Sequence, residues 1–313
     1  MKICHIITTL GYGGAERLLV NVTNQHVRNH EIDIIYFKNA PVLQTMLNSA
    51  VRVHCVPLSL SSLRDVRTLL VRLQPEVVHT HLGHADFVGL LASQGLPVKR
   101  FCTMHNIYYK YNWRDQIIFL GYRVLFALLA HDVHVIAVSR SVATHLQQTL
   151  GLARQRISVI YNGIPQVELA ASRAELRHEL AIPHDAFCVL FVGRLHIQKS
   201  VDTLLRAAAR LRSRIPNLIV LLVGEGYERE RLEALSVKLK TNDVVRFCGT
   251  TMEPERYFKA ADVFVLPSVC EGFGLVILEA FRSGLPVVAS RIEGPAELIE
   301  DCLLYTSPSP RDS

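Results

Sequence analysis

Short runs of apolar residues alternate along this chain with segments in which apolar residues recur at helical spacing. In the first half the apolar runs are continuous, as expected for strands that are covered on both faces. These strand candidates are Ile3–Thr8, Ile32–Phe37, Val51–Val56, Val77–Thr80, Phe101–Met104, Val133–Val138 and Ile157–Ile160. The helical segments between them include Ala15–Gln25, Leu63–Leu73 and Ser141–Leu150. This β-α-β order predicts a parallel, doubly wound sheet.

A second series of the same kind begins after Asn162-Gly163-Ile164-Pro165. Its strand candidates are Cys188–Val192, Leu218–Val223, Val244–Cys248, Val263–Leu266 and Pro286–Ala289. Its helical segments include Val201–Ser213, Arg229–Leu239 and Gly274–Ser283. The pattern therefore predicts an α/β protein of two Rossmann-like domains, residues 1–168 and 169–301, facing across a cleft at the carboxyl ends of their sheets, where such folds bind ligands.

The last twelve residues break this pattern. After a helix start at Pro295, the chain reads Cys-Leu-Leu-Tyr-Thr-Ser-Pro-Ser-Pro-Arg-Asp-Ser, and its two Ser-Pro steps end any helix. The string resembles a translated sequencing adapter, so we expect residues 302–313 to be non-native and the second domain to be incomplete. A genuine proline-rich tail is the alternative.

Composition narrows the class of protein. Half of the 313 residues are hydrophobic and a fifth are charged, which is typical of a soluble globular chain. The longest apolar stretch, 117–130, is interrupted by Arg123, so we interpret it as a buried helix and not as a membrane span. Seven scattered cysteines without a C-x-x-C pair, and an N-terminus without a signal-peptide cleavage site, favour a reducing cytoplasm.

The net charge of +6 is unevenly distributed. Residues 1–165 hold 16 Lys and Arg against 8 Asp and Glu, whereas residues 166–301 hold 17 against 19. A basic first half favours an anionic partner such as the inner face of a membrane, a lipid phosphate or an acidic glycan. An ordinary solvated basic surface explains the charge equally well, and no motif supports nucleic acid.

A glycine-rich turn follows the first strand, at Gly11-Tyr12-Gly13-Gly14-Ala15-Glu16. Such a turn lets backbone amides approach a phosphate at a helix N-terminus. It departs from the dinucleotide fingerprint because Glu16 stands where Gly or Ala is expected, and no acidic residue ends the second strand. A plain turn remains the commoner explanation for this loop alone.

Two cations follow the first strand of the second domain. Arg194 would leave the carboxyl end of the strand, and Lys199 would follow in the loop before the next helix. A guanidinium fork and an ammonium point charge suit a diphosphate. Basic residues at loop tips are also often merely solvated.

The most informative stretch runs from Pro267 to Ala280 and reads PSVCEGFGLVILEA. It follows a strand and opens a helix, so its glycines let the backbone press against a ligand at the helix N-terminus. Glu271 precedes the helix and Glu279 lies about a turn inside it, which would let them contact different parts of one elongated ligand. A carboxylate on an otherwise apolar helix is costly to bury unless it binds a ligand, and a solvent-facing Glu279 is the alternative.

These motifs together resemble the retaining glycosyltransferases of glycosyltransferase family 4, which have the GT-B fold. The resemblance covers residues 1–301 and depends on the order and spacing of six elements. They are Gly13-Gly14-x-Glu16, His105-Asn106, Ala137-Val138-Ser139, Asn162-Gly163, Gly193-Arg194 with Lys199, and the E-x7-E element from Glu271 to Glu279.

The resemblance implies transfer of a hexosyl-type sugar from a UDP-, GDP- or ADP-sugar to a glycan or lipid-linked acceptor, with retention. The implied catalytic residues are Glu271 at the sugar hydroxyls, Arg194 and Lys199 at the leaving diphosphate, and His105 at the donor sugar. The implied substrate-binding residues are Gly13, Gly14, Glu16, Ser139, Asn162, Gly272, Phe273, Gly274, Leu275 and Glu279, with Glu279 at the ribose diol. Ser200 replaces the family's usual Gly after the Lys, which puts the tightness of that turn in doubt.

No cofactor or metal is expected, because the two cations and helix amides would neutralise the leaving group and the sequence has no D-x-D. The one metal-like cluster in the sequence is His79-x-His81-x-x-His84, and histidines also line ordinary cleft edges. Acceptor contacts would come from the first domain, with the basic and aromatic stretch Lys99–Arg114 as the candidate, although a packed loop explains this stretch equally well.

Three rival functions stay open at this point. A nucleotide-sugar epimerase shares the two-domain fold and would release an isomerised sugar. A phosphorylase-like enzyme would need a lysine bound to pyridoxal phosphate. A non-catalytic nucleotide-sugar-binding subunit would not need the five polar residues that this chain keeps at Glu271, Glu279, Arg194, Lys199 and His105.

Overall fold

The computed structural model describes residues 1–38, 42–107, 113–129, 132–167 and 169–299. The chain divides into two compact units, Met1–Gly163 and a second that starts at Ile164. This division falls a few residues before the predicted boundary between residues 168 and 169. The predicted adapter-derived tail, 302–313, lies outside the described residues.

The first unit is built on a seven-stranded parallel sheet with the strand order β3-β2-β1-β4-β5-β6-β7. Its strands are β1 Lys2–Ile7, β2 Glu31–Tyr36, β3 Arg52–Cys55, β4 Val77–His81, β5 Lys99–Met104, β6 Val133–Ala137 and β7 Ile157–Val159. The helices between them are α1 Gly14–His26, α2 Ser62–Leu73, α3 Gly83–Ala92, α4 Trp113–Leu128 and α5 Arg140–Leu150. The strand order reverses between β1 and β4, and this is the position at which doubly wound sheets bind ligands.

The second unit repeats the plan with five parallel strands in the order β10-β9-β8-β11-β12. Its strands are β8 Phe187–Val192, β9 Leu218–Val223, β10 Val245–Gly249, β11 Val263–Leu266 and β12 Val287–Ala289. Its helices are α6 Arg173–Glu179, α7 Val201–Leu211, α8 Arg229–Lys238, α9 Pro254–Ala260, α10 Leu275–Arg282 and α11 Glu293–Ala296. The order reverses between β8 and β11.

The predicted fold class is confirmed: both units are parallel α/β sheets, and each predicted strand is present to within one or two residues. Strand β9 shows why the pattern was informative, because all six of its residues are buried, as helices on both faces require. The six described cysteines form no disulfide, and Cys4, Cys102 and Cys188 are buried strand residues.

The prediction of a buried helix at 117–130 was wrong for one face of α4. Tyr122, Leu125 and Phe126 are buried, but Ile117, Leu120, Val124 and Leu128 are at least half exposed. The exposed four recur at spacings of three or four residues and therefore form one stripe along the helix. Composition alone does not distinguish a helix that is covered all round from one that presents an apolar face.

A buried arginine attaches α6 to the sheet of the second unit. The Arg177 guanidinium donates to the carbonyl oxygens of Ala260 and Pro183 at 3.1 and 2.9 Å, and it pairs with Asp262 at 3.3 Å. Asp262 also pairs with Arg173 at 2.5 Å and accepts the Cys188 amide at 2.7 Å. Hydrogen bonds of this kind satisfy a charge that would otherwise be costly to bury.

A buried carboxyl lies in the first unit, on α3. Asp86 is fully buried, and it accepts a hydrogen bond from the Tyr122 hydroxyl at 2.7 Å and one from the Cys102 thiol at 3.3 Å. Desolvation raises the pKa of Asp86 from 3.8 to about 6, although these hydrogen bonds oppose the shift. The carboxyl therefore releases its proton less readily in the folded chain than in the unfolded chain.

We predict that Asp86 makes the first unit less stable as the pH rises from about 4 to about 7. The folded chain binds this proton more tightly than the unfolded chain, so stability falls through the interval between the two pKa values, by up to ~3 kcal/mol. Asp86→Asn keeps an acceptor for Tyr122 but cannot ionise, and it should lose less stability over this interval. The measurement is urea unfolding followed by far-ultraviolet circular dichroism at a series of pH values.

The matched control is Asp65→Asn, which changes an exposed carboxylate of α2 in the same unit. It should show the pH dependence of the unmodified chain. An Asp86→Asn variant with an unchanged pH dependence would contradict a raised pKa at Asp86.

Candidate active site

The loops that follow β8 and β11 meet at the point where the strand order of the second sheet reverses. The Val269 amide donates to the carbonyl oxygen of Gln198 at 2.9 Å, and the Gln198 side chain donates to the Cys270 carbonyl at 2.9 Å. Neighbouring parallel strands end at the same edge of a sheet, so residues about 70 positions apart are brought into contact. These bonds align the two loops that carry the predicted site.

Glycines allow the loops around this edge to approach backbone to backbone. A Cβ on Gly226 would lie 2.1 Å from the Leu195 carbonyl oxygen, and one on Gly294 would lie 2.5 Å from that of Glu271 and 2.8 Å from the Phe273 nitrogen. No side chain larger than hydrogen fits at such distances. Gly226 therefore supports the loop after β8, and Gly294 supports the loop at 271–273.

Glu271 and Lys199 form an ion pair between these loops. The Lys199 ammonium donates to Oε1 of Glu271, and Ser268 Oγ donates to the same oxygen at 2.7 Å. The side chains are 7% exposed for Glu271 and 18% for Lys199, so solvent screens the pair little. Two donors hold the carboxylate in one orientation at the carboxyl edge of the sheet.

Glu279 lies on α10, at its fifth residue, and is partly exposed. The helix begins at Leu275 after Gly274, whose φ of +91° is a conformation that favours glycine. Gly272, Phe273 and Gly274 are buried and form the turn between Glu271 and the helix. The E-x7-E element therefore has one carboxylate before the helix and one inside it, as predicted from the sequence.

The two predicted cations differ in their environment. Arg194 is exposed and forms no hydrogen bond or ion pair with the described residues, whereas Lys199 is engaged with Glu271. Lys199 ends a short 3-10 turn, and Ser200 follows with φ +46°. The serine thus occupies the left-handed conformation that a glycine would adopt without strain, which is the departure noted in the sequence.

The glycine-rich loop of the first unit leads into α1. Gly13 is the residue before the helix, and Gly14 is the first helical residue. The Glu16 carboxylate folds back over this turn, since a Cβ on Gly13 would lie 2.0 Å from its Oε2. The first amides of α1 are therefore close to an acidic side chain, and a larger residue at position 13 would require the Glu16 side chain to move.

Ser139 and Asn162 occupy different kinds of position. Ser139 is buried, and its hydroxyl accepts the Val142 amide at 3.1 Å, which caps α5. Asn162 is partly exposed in the segment after β7. Their roles in substrate binding stay predictions, and Tyr108–Asn112 of the predicted acceptor stretch lie outside the described residues.

A row of histidines crosses the sheet of the first unit. His5 on β1 pairs in register with His79 on β4. His5 Nδ1 lies 3.2 Å from His81 Nε2, and His81 Nδ1 lies 3.2 Å from His105 Nε2. His105, which follows β5, is thus hydrogen-bonded at one ring nitrogen before any ligand arrives.

Burial keeps these imidazoles neutral. Desolvation lowers the pKa of His105 to about 4 and that of His5 to about 3, and it lowers the pKa values of His79 and His81 well below 6.5. A neutral imidazole has one donor and one acceptor nitrogen. The row is therefore a directional chain of hydrogen bonds at neutral pH.

Sequence reasoning missed several of these partners. Ser268 and Gln198, which orient the Glu271 loop, gave no signal beyond their place at strand ends. The sequence assigned His5 only to a strand. Its pairing in register with His79 places its side chain on the same sheet face as those of His79 and His81. His84, the third member of the cluster suggested by spacing, is exposed on α3.

Two family models match consecutive parts of the chain. Residues 12–167 match the model described as Glycosyltransferase Family 4, and residues 172–303 match the model described as Glycosyl transferases group 1. Between them they cover both structural units.

Proteins with similar sequences are also named as glycosyltransferases. A Bacillus subtilis protein named as glycosyltransferase EpsF is 28% identical over 306 residues, which are 92% of this chain and 79% of that protein. D-inositol 3-phosphate glycosyltransferase 2 of Catenulispora acidiphila is 32% identical over 72% of this chain and 57% of its own length. The enzyme named D-inositol 3-phosphate glycosyltransferase in Thermobifida fusca is 37% identical over 56% of this chain and 43% of its own. The chain thus spans about half the length of these last two relatives.

Solved structures share the fold. HepE of Anabaena in complex with UDP-glucose superposes with a TM-score of 0.83 at 24% identity, over 96% of this chain and 83% of that one. WaaG, a glycosyltransferase involved in lipopolysaccharide biosynthesis, gives a TM-score of 0.77 at 18% identity, with 96% and 84% covered. With both units matched by family models and by GT-B structures, this chain belongs to the GT4-type glycosyltransferases.

Proposed function

We propose that this protein transfers a hexosyl residue from a nucleoside-diphosphate sugar to a glycan or lipid-linked acceptor, with retention of anomeric configuration. The observation that carries the proposal is the buried Glu271–Lys199 pair at the switch point of the second sheet. Structural ion pairs of this kind also occur without function. Here, however, the pair lies where doubly wound sheets bind ligands and within the E-x7-E element of the family.

The cations of the second unit suit a diphosphate leaving group. Arg194 offers an exposed guanidinium, and Lys199 has three donor protons, of which the bond to Glu271 uses one. A bound diphosphate would share this ammonium with Glu271. In this proposal the developing charge is neutralised by these side chains and by the first amides of α10, and no metal takes part in the transfer step.

The two carboxylates would contact different parts of the donor. Glu271 is held rigidly by Ser268 and Lys199, which suits a contact to hydroxyls of the reacting sugar. Glu279 lies further along α10 and suits the ribose diol. His105 would reach the donor sugar with its ring already oriented by His81.

The relatives support a sugar-nucleotide donor. HepE carries UDP or UDP-glucose in its complexes, and other relatives are named as D-inositol 3-phosphate glycosyltransferases. A UDP-sugar is therefore the first donor to test, followed by GDP- and ADP-sugars. These names also make a phosphorylated polyol one acceptor class to include.

The direct experiment follows release of nucleoside diphosphate from this donor panel, with product analysis by mass spectrometry. We expect one donor class to give a glycosylated acceptor. An isomerised free sugar would instead indicate an epimerase. Tight donor binding without turnover on any acceptor would indicate a binding subunit.

We predict that the two glutamates affect different kinetic constants. Glu279→Ala should mainly raise the donor KM, because the ribose is unchanged during the reaction. The increase should correspond to a loss of ~1.5–3 kcal/mol of binding free energy. Glu271→Ala should lower kcat by ~10²-fold, because the sugar gains positive charge in the transition state. Arg194→Ala and Lys199→Ala should resemble Glu271→Ala, since charge on the leaving diphosphate grows as the bond breaks.

Two further variants make this test specific. Glu271→Gln keeps the size of the side chain but weakens the bond to Lys199, so it should also lower kcat. Glu230→Ala removes an exposed carboxylate of α8 and should leave both constants unchanged. Equal increases in KM with unchanged kcat for Glu271→Ala and Glu279→Ala would refute the division of roles.

We predict that the close backbone packing at Gly294 is required for donor binding. Gly294→Ala would place a Cβ 2.5 Å from the Glu271 carbonyl oxygen, so the loop at 271–273 must move. We expect weaker binding of UDP by calorimetry, by ~10-fold or more, because positioned contacts are lost with small displacements. Gly83→Ala, where a Cβ meets nothing within 4 Å, is the control and should bind UDP normally.

The first unit also supports peripheral contact with an anionic membrane, which would suit a lipid-linked acceptor. The exposed stripe of α4 is continuous with an apolar groove. The groove is lined by Phe87, Leu91, Ile117, Leu120, Val124 and Leu128. An exposed apolar patch on a unit with an excess of basic residues is typical of interfacial binding. Among the described residues, no helix combines the length and apolar character that crossing a bilayer requires.

We predict that the chain co-sediments with phosphatidylglycerol vesicles, and that binding decreases as salt rises. Leu120→Asp with Val124→Asp should reduce the bound fraction several-fold, because each change puts a charge into the apolar stripe. Leu63→Asp alters another exposed leucine of the same unit and should have little effect. Equal binding to neutral and anionic vesicles would contradict the proposal.

A further inference from the structure

Three histidines of the first unit form a compact group, which we call the histidine triad: His5, His79 and His81. One ring nitrogen of each lies within 4.8 Å of those of the other two. Register pairs His5 with His79, and His81 is two residues further along β4, so all three side chains project from the same face of the sheet. The backbone geometry of two neighbouring strands thus holds the triad together.

The spacing within the triad suits a common metal ion. His5 Nδ1 and His81 Nε2 are 3.2 Å apart. Two nitrogens bound tetrahedrally at about 2.0–2.1 Å from zinc would be roughly 3.3 Å apart, so these two atoms already have nearly the required separation. The third nitrogen would need to move inward by a change in the ring orientation of His79, which is partly exposed.

Burial and ligand type also suit a metal. Imidazoles are preferred ligands of zinc-class ions, and His5 and His81 are buried in the first unit. His5 Nε2 is buried and has no hydrogen-bond partner among the described residues. A buried nitrogen without a partner is costly and uncommon, so hydrogen bonding within the protein does not account for the place of this ring.

Outer partners orient two of the rings. His79 Nε2 lies 2.7 Å from Thr103 Oγ1, and His81 Nδ1 lies 3.2 Å from His105 Nε2. Metal-bound histidines usually engage their second nitrogen in this way, which fixes the ring orientation. The triad therefore has ligands with a supporting set of hydrogen bonds.

We propose that His5, His79 and His81 bind one divalent transition-metal ion of the zinc class. Three imidazoles favour Zn²⁺, Co²⁺, Ni²⁺ or Cu²⁺ over Mg²⁺ and Ca²⁺, which prefer oxygen ligands. The fourth position would be taken by water or another small ligand. This site is separate from the chemistry proposed for the diphosphate, which uses Arg194 and Lys199.

Metal binding would have a defined effect on His105. When His81 Nε2 binds the ion, the ring proton of His81 must be on Nδ1, which then donates to His105 Nε2. His105 in turn carries its own proton on Nδ1. The ion would therefore select one tautomer along the hydrogen-bonded chain from His81 to His105.

The test uses the full chain, freed of metal by chelation and titrated with Co²⁺ or Zn²⁺ alone. We expect one Zn²⁺ per chain by equilibrium dialysis, and visible absorption bands of tetrahedral Co²⁺ that Zn²⁺ abolishes. His5→Gln with His79→Gln should weaken Zn²⁺ binding by at least ~100-fold, and Thr103→Val by ~10-fold, since it removes a hydrogen bond but no ligand. His84→Gln, at a nearby exposed histidine, should bind as the unmodified chain does.

A measurement on the unmodified protein makes the result independent of how the variants fold. X-ray absorption of the zinc-loaded chain should show three imidazole ligands. Failure of the folded chain to bind either ion stoichiometrically would overturn the proposal. So would binding through fewer than three imidazoles, or equal affinity in a folded His5→Gln, His79→Gln variant. In those cases the row of histidines is a hydrogen-bonded chain without a metal.

Discussion

The candidate site of the second unit depends on one ion pair between the loops that follow β8 and β11. Lys199 and Glu271 are largely withdrawn from water, so removal of either partner would leave a buried charge at a cost of ~3–5 kcal/mol. Ser268 and the backbone bonds from Gln198 and Val269 supply the rest of the geometry. The same contacts place a carboxylate and an ammonium at the carboxyl edge of the sheet, where a donor would bind. Stability and proposed function therefore share these atoms.

The histidine row and Asp86 of the first unit are buried without such an ion pair. Desolvation lowers the pKa values of these four imidazoles and raises that of the carboxyl, so each group is driven toward its neutral form. Neutral groups are buried at lower cost when they hydrogen-bond to one another, as His5, His81 and His105 do. A neutral imidazole chain keeps its capacity to bind metals or pass a proton, whereas an ion pair would not.

Helix α4 shows how far composition can mislead. Its apolar residues fall into two sets, one packed on the unit around Tyr122 and Phe126 and one facing outward from Ile117 to Leu128. Both sets contribute equally to an apolar run in the sequence. Only the packing of the helix decides which of them belongs to the core and which is an exposed surface.

The sequence by itself determined the order of the strands along the chain, the doubly wound architecture and the place of the polar motifs at strand ends. It could do so because apolar runs and helical periodicity are local, and because parallel strands share one carboxyl edge. The tertiary structure decided the pairing of Lys199 with Glu271 and the meeting of His5 with His81. Those contacts join residues more than 70 positions apart, and strand register and side-chain orientation set them. Neither register nor orientation is encoded in local spacing.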